Sequence, residues 1–154
     1  MYKVERILCP TDFSEGSLQA FSAATDIATK LGAELSVIYV LPVQSALPSD
    51  PTTVFEVHQR QDLLDKRLSE MTRELNEKGI QGRAFVEHGD AAGEIVRLAE
   101  EQRIDLIVIA TFGKTGWRRL AFGSVTENVV RQAPCPVLVV RGTKSLIRPE
   151  DAAA

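Results

Sequence analysis

The chain has 154 residues, 44% of them apolar and 25% charged, with ten glycines and seven prolines. This is ordinary globular composition, long enough for one domain that buries roughly 70% of its unfolded surface without a metal or disulfide staple. Eighteen basic against 21 acidic residues leave a net charge of −3, which argues against a dedicated nucleic-acid or membrane-surface binder, whose affinity rests on a basic excess.

Short apolar runs alternate with longer segments of helical period. Residues 4–9 read as a strand closed by Pro10. Over residues 14–31, Leu18, Phe21, Ala24, Ala28 and Leu31 recur three or four positions apart, and Gly32 stands where a helix C-cap is expected. A second strand covers 34–40, and the stretch 42–53, with three prolines, reads as a loop. The second helix is predicted over 55–78, with Leu64, Leu68, Met71 and Leu75 on one stripe and Gly79 as its stop. A third strand over 82–87 leads to a turn at Gly89-Asp90 and a helix to Gln102. A fourth strand over 105–110, a short helix over 124–132 and a fifth strand over 136–140 complete the order. Residues 1–141 form the predicted domain, and the tail 142–154, which lacks a packing pattern, is expected to be mobile.

Strands apolar on both faces must be covered on both faces, and the intervening helices supply that cover. The predicted fold is therefore α/β: a single doubly wound, mainly parallel five-stranded sheet with helices on both faces. Ligands of such sheets sit beyond the carboxyl ends of the strands, where the winding reverses. Two segments fall there, Pro10-Thr-Asp-Phe-Ser14 and the stretch 110–124.

Cys9 and Cys135 form no CxxC pair, and His58 and His88 are the only histidines, too few soft ligands for zinc. Both cysteines read as small buried hydrophobes with free thiols. No apolar run approaches the ~20 residues of a membrane span, and charges occupy the start where a signal peptide needs apolar residues. A cytoplasmic protein without membrane insertion is expected.

The segment after the fourth strand combines three features of an anion seat. Gly113, Gly116 and Gly123 allow close backbone approach. Ser124-x-x-Glu127 matches a capping box, which predicts a helix start whose N–H groups and dipole face the loop. Lys114, Arg118, Arg119 and Arg131 oppose only Glu127, a local excess of three positive charges. The same residues also suit simple turns, a cap and a solvated basic face. Val108 stands where a Walker A loop needs glycine, and Cys-Pro-Thr-Asp replaces a GxGxxG after the first strand. Asp12 has two readings: it caps the first helix, or it accepts a ribose hydroxyl or helps hold a phosphate-bound metal.

These segments resemble the universal stress protein family, in its ATP-binding branch, across residues 4–141. The resemblance rests on Pro10-Thr-Asp-Phe-Ser14, on Gly123-Ser-Val-x-Glu127, and on Ala133-Pro-Cys-Pro-Val-Leu-Val-Val-Arg141. It also covers the later part of Gly-x2-Gly-x9-Gly-(Ser/Thr), as Gly113, nine residues, Gly123 and Ser124; Ala110 replaces the first glycine and Phe112 a frequent histidine.

The resemblance implies that Asp12, with Pro10 and Thr11, lies against adenosine, and that the Val40 backbone reads the adenine edge. It further implies that the N–H groups of Gly113, Gly123, Ser124 and Val125 wrap the phosphates beside Ala110, that the ligand is ATP, and that magnesium can accompany it. It implies a homodimer through Val137, Leu138, Val139 and Val140, an apolar strand that at a sheet edge is a pairing template. No residue set presents itself as catalytic or as a protein-built metal site. The expected role is a dimeric stress-response module whose nucleotide state tunes a contact with a regulatory protein, Trp117 reporting loop closure by fluorescence. The alternatives are a slow ATPase or nucleotide hydrolase on the same pocket, and a nucleotide-free dimerising stress factor.

Overall fold

The computed structural model describes residues 1–43, 49–111 and 123–141. Nine elements follow in order: β1 (Arg6–Pro10), α1 (Glu15–Leu31), β2 (Glu34–Leu41), α2 (Pro51–Glu77), β3 (Gly82–His88), α3 (Ala91–Glu101), β4 (Leu106–Ala110), α4 (Ser124–Gln132) and β5 (Val137–Val140). The five strands form one sheet in the order β3-β2-β1-β4-β5, and every neighbouring pair is parallel.

The period of two along each strand divides the apolar residues between two cores. Ile7, Cys9, Leu35, Val37 and Val108 face α1 and α2, meeting Phe21, Ala24, Leu68 and Leu75. Leu8, Ile38, Ile107 and Ile109 face α3 and α4, meeting Ile95, Leu98 and Val129. The both-face apolar pattern thus has its cause in helices packed on both sides of the sheet.

Helix ends follow local chemistry. The Ser14 hydroxyl caps α1 by accepting from the Ser17 N–H at 3.2 Å. Gly32 ends α1 at φ 64°, in the left-handed region that only glycine enters without strain. The stretch 42–53 is not wholly a loop, because α2 begins at Pro51, four residues before the predicted start. Asp50 caps it by accepting from the Thr53 N–H at 2.9 Å, and proline is favoured at the first helical position, where its missing N–H has no partner to lose.

At the amino ends of the central strands, Asp105 stands just before β4 rather than inside it. Its Oδ2 accepts the N–H groups of Glu5 and Arg6, each at 2.9 Å, and its own N–H donates to the Arg6 carbonyl at 2.9 Å. This clasp fixes where β1 and β4 start and so where their carboxyl ends fall. The tail 142–154 lies outside the described residues.

Candidate functional site

The strand order reverses at β1: the chain moves outward through β2 and β3, then returns to place β4 on the other side of β1. A crevice opens at such a reversal, between the segments leaving the carboxyl ends of the two strands. Those segments start at Thr11 after β1 and at Thr111 after β4, and the described chain resumes at Gly123.

The turn after β1 is held by its own polar side chains. The Thr11 N–H donates to the Ile38 carbonyl at 2.9 Å, while the Thr11 hydroxyl accepts from the Phe13 N–H at 3.1 Å and meets the Ser17 hydroxyl at 3.2 Å. Asp12 Oδ1 accepts from the Ser14 N–H at 2.9 Å. Asp12 is therefore not the cap of α1, a role that belongs to Ser14; it fixes the turn two residues earlier, half-buried at the crevice. An ionised carboxylate accepts about four hydrogen bonds, so holding this turn is compatible with accepting a hydroxyl from a ligand.

Phe13 is the strained residue of the turn. Its φ is 60°, a region that costs a bulky side chain roughly 1–3 kcal/mol. Its ring stacks on Tyr39 of β2 with centroids 5.3 Å apart and an interplanar angle of 25°. The Arg67 guanidinium of α2 lies 4.5 Å from the ring centroid.

Successive residues of a strand turn their backbone polar groups to alternate neighbours. Ile38 turns to β1, accepting from Thr11, and Leu41 turns to the β3 side, accepting from the Gly89 N–H at 2.9 Å. By that alternation Val40 directs its N–H and C=O to the β1 side, two residues past the last β1–β2 register pair, Pro10 with Ile38. Its main chain thus faces the crevice.

On the β4 side the Thr111 N–H donates to the Val140 carbonyl at 3.0 Å, and the Gly123 N–H donates to the Thr111 carbonyl at 2.7 Å. These two bonds tie the end of β4 to β5 and to the start of α4. Buried Ala110 presents its carbonyl to the Thr126 hydroxyl at 2.6 Å. Gly113 falls outside the described residues, as do Phe112, Lys114, Gly116, Trp117, Arg118 and Arg119.

The start of α4 differs from the expected capping box. Gly123 is the N-cap, at φ −63° and ψ 159°, without a side-chain cap bond, and Ser124 is the first helical residue. Glu127 instead accepts from Arg131 at 2.7 Å, one turn on. The Gly123 N–H is held by Thr111, so the donors that helix geometry leaves without an intrahelical carbonyl are those of Ser124, Val125 and Thr126. A positive dipole end accompanies them.

Both histidines are exposed. His88 ends β3, two strands from β1 and about 10 Å away at the usual strand spacing. His58 lies on α2. Among the described residues, no group of three or more His, Cys, Asp or Glu side chains could hold a metal ion.

The thiols differ from one another. Cys9 is fully buried in the sheet and its thiol is pushed up to about 12 by burial, whereas Cys135 is only half-buried beside the second core, not a fully buried hydrophobe. The raised Cys9 value stabilises the fold below pH 9.0, its ordinary value, and that stability is lost as pH rises from there towards 12. Urea denaturation from pH 8 to 11 is expected to show wild type losing on the order of 2 kcal/mol relative to Cys9→Ala; parallel pH profiles would contradict it.

Sequence reasoning passed over Phe13, Tyr39 and Thr126. The first occupies the variable position of Pro-Thr-Asp-x-Ser, the second reads as an ordinary strand residue, and the third as an ordinary helix residue. Only their tertiary partners reveal what they do.

Comparison with known proteins bears on this site. The sequence profile of the universal stress protein family matches residues 3–141. A universal stress protein of Methanocaldococcus jannaschii is 37% identical over 146 residues, 94% of this chain and 85% of its own length. Universal stress protein YxiE of Bacillus subtilis is 30% identical, over 88% of this chain and 98% of its own. Among solved structures, UspA of Lactobacillus plantarum superposes with a TM-score of 0.72 at 27% identity, covering 90% of this chain and 99% of its own. A universal stress protein in complex with cAMP superposes at 0.71 with 25% identity, covering 91% and 99%.

Proposed function

The chain belongs to the universal stress protein family, and from that premise we propose that it is a cytoplasmic, ATP-binding regulatory module that acts as a homodimer. The observation that carries this reading is the convergence, at the reversal of the sheet, of a carboxylate, a crevice-facing strand backbone and a helix N-terminus. In this assignment Asp12 accepts a ribose hydroxyl while Pro10 and Thr11 lie against the nucleoside, and Val40 presents main-chain groups to the adenine edge. The N–H groups of Ser124 and Val125 receive phosphate, to which the dipole contributes roughly 0.3–1 kcal/mol at a surface site. Gly123 serves through its missing Cβ, since Thr111 already holds its N–H. Ala110 and Gly113 border the same phosphates. Magnesium, where bound, would be held by the phosphates themselves and would neutralise their charge.

The relative solved with cAMP supports an adenine nucleotide as the ligand class. The place of His88, two strands from β1, favours binding over hydrolysis, with nucleotide state setting a contact with a partner protein. The test is direct: nucleotides extracted from the denatured, purified protein are resolved by anion exchange, and phosphate release is followed with and without magnesium. Adenylate in the extract, with release no faster than a Gly123→Val background, is the expected result. Release well above that background would make the protein a hydrolase, and an extract without nucleotide would favour the nucleotide-free reading.

The homodimer rests on β5, which forms one edge of the sheet with Leu138 41% exposed. An uncovered apolar edge strand pairs with whatever strand it meets, and a second copy across a two-fold axis covers Val137, Leu138, Val139 and Val140. Light scattering after size exclusion is expected to give twice the chain mass. A monodisperse monomer at micromolar concentration would contradict it.

A further inference from the structure

The geometry points to Phe13 as a positioning residue that sets the distance between the ribose and adenine contacts of the proposed site, an inference that rests on the ATP-binding reading. Two adjacent pairs of residues carry it. Asp12 precedes Phe13 in the turn after β1, Tyr39 precedes Val40 near the end of β2, and the rings of Phe13 and Tyr39 stack at 5.3 Å. The ring pair therefore ties together the two backbone segments that present the carboxylate and the adenine-reading main chain. It does so from the face of the sheet covered by α1 and α2, where both rings pack against that core. Phe13 does not touch the ligand in this assignment; it acts through Asp12 and Val40.

Three observations make more of this than a buried aromatic contact. Phe13 holds a left-handed φ of 60°, so its ring is kept in place against the preference of its own backbone. Its N–H is fixed by the Thr11 hydroxyl at 3.1 Å and the next N–H by Asp12 at 2.9 Å, so displacement of Phe13 displaces the carboxylate. Arg67 of α2 rests over the same ring at 4.5 Å, which brings the long helix into the support of the turn.

The test is a double-mutant cycle read by calorimetric titration of ATP. Phe13→Gly removes the ring while suiting the left-handed backbone, so the turn is not asked to hold a strained Cβ. It is expected to weaken ATP binding roughly tenfold in wild-type background and only about threefold in Asp12→Asn background, because the Val40 contact alone is then left for Phe13 to position. Phe13→Tyr, which keeps the stack, is expected to restore affinity to within about twofold of wild type. Unchanged affinity in Phe13→Gly overturns the inference while leaving the site intact. Equal losses in both backgrounds also overturn it, since they describe general loosening and not an action through Asp12. Wild type that binds no adenylate removes the proposed function and this inference together.

Discussion

Asp12→Asn is expected to weaken ATP binding by one to two orders of magnitude while leaving thermal stability within about 2 °C of wild type. The asymmetry follows from what the side chain does. In the turn Oδ1 accepts the Ser14 N–H at 2.9 Å, and asparagine forms the same side-chain turn as aspartate. A ribose hydroxyl needs an acceptor as well, and the carboxamide is neutral and carries an NH2 donor in place of one carboxylate oxygen, which makes it the weaker acceptor. Hydrogen bonds to a charged group contribute about 1.5–3 kcal/mol, and every 1.4 kcal/mol is tenfold in affinity. Titration calorimetry and a melting curve on one preparation check both halves. Wild-type affinity in the variant would remove Asp12 from the site, and a collapse of stability would make it a purely structural residue.

Leu75→Ala is expected to carry the largest stability loss. Leu75 is fully buried and belongs to the stripe by which α2 meets the sheet, with Leu64, Leu68 and Met71. Its surroundings are tight: a Cβ placed on Gly82 would come within 2.9 Å of the Leu75 Cβ. Removing a fully buried leucine side chain costs about 2–5 kcal/mol, the spread depending on how far the site collapses. Against a total of about 5–15 kcal/mol that is a large fraction. At about 2–4 °C per kcal/mol for this chain length, the melting temperature is expected to fall by roughly 5–15 °C. A fall under 2 °C would mean that α2 is not docked on β3 as described.

The architecture was legible because its determinants are patterns of many residues. The uninterrupted apolar run of β4, Leu106–Ala110, demands cover on both faces, and helices between strands leave few other arrangements. Helix caps were less legible, because one or two residues decide them: α4 spans 124–132 as predicted, yet its cap is Gly123 and not Ser124. Ser124-x-x-Glu127 matches a capping box whether Ser124 is the cap or the first helical residue, and the extended Gly123 settled it against the pattern. Pro51 read as loop although proline opens helices readily. In the segment after β1, both Asp12 and Ser14 are good caps, and their division of labour depends on the Thr11 and Ser17 hydroxyls around them.

The position of the candidate site was legible for a topological reason: a strand order that reverses at β1 sets the carboxyl ends of β1 and β4 side by side. What supports the site was not. A bulky residue at φ 60° runs against local preference, so no local signal marks Phe13. The bond from Thr126 to the Ala110 carbonyl spans 16 residues and exists only once α4 has docked.

One titration bears most directly on the whole account: ATP, with and without magnesium, injected into the purified dialysed protein in a calorimeter. Saturable heat at one ATP per chain, displaced by ADP, is the expected result. The absence of heat with ATP, ADP and AMP alike, from protein whose melting curve shows it folded, would contradict the account and leave the crevice without its ligand.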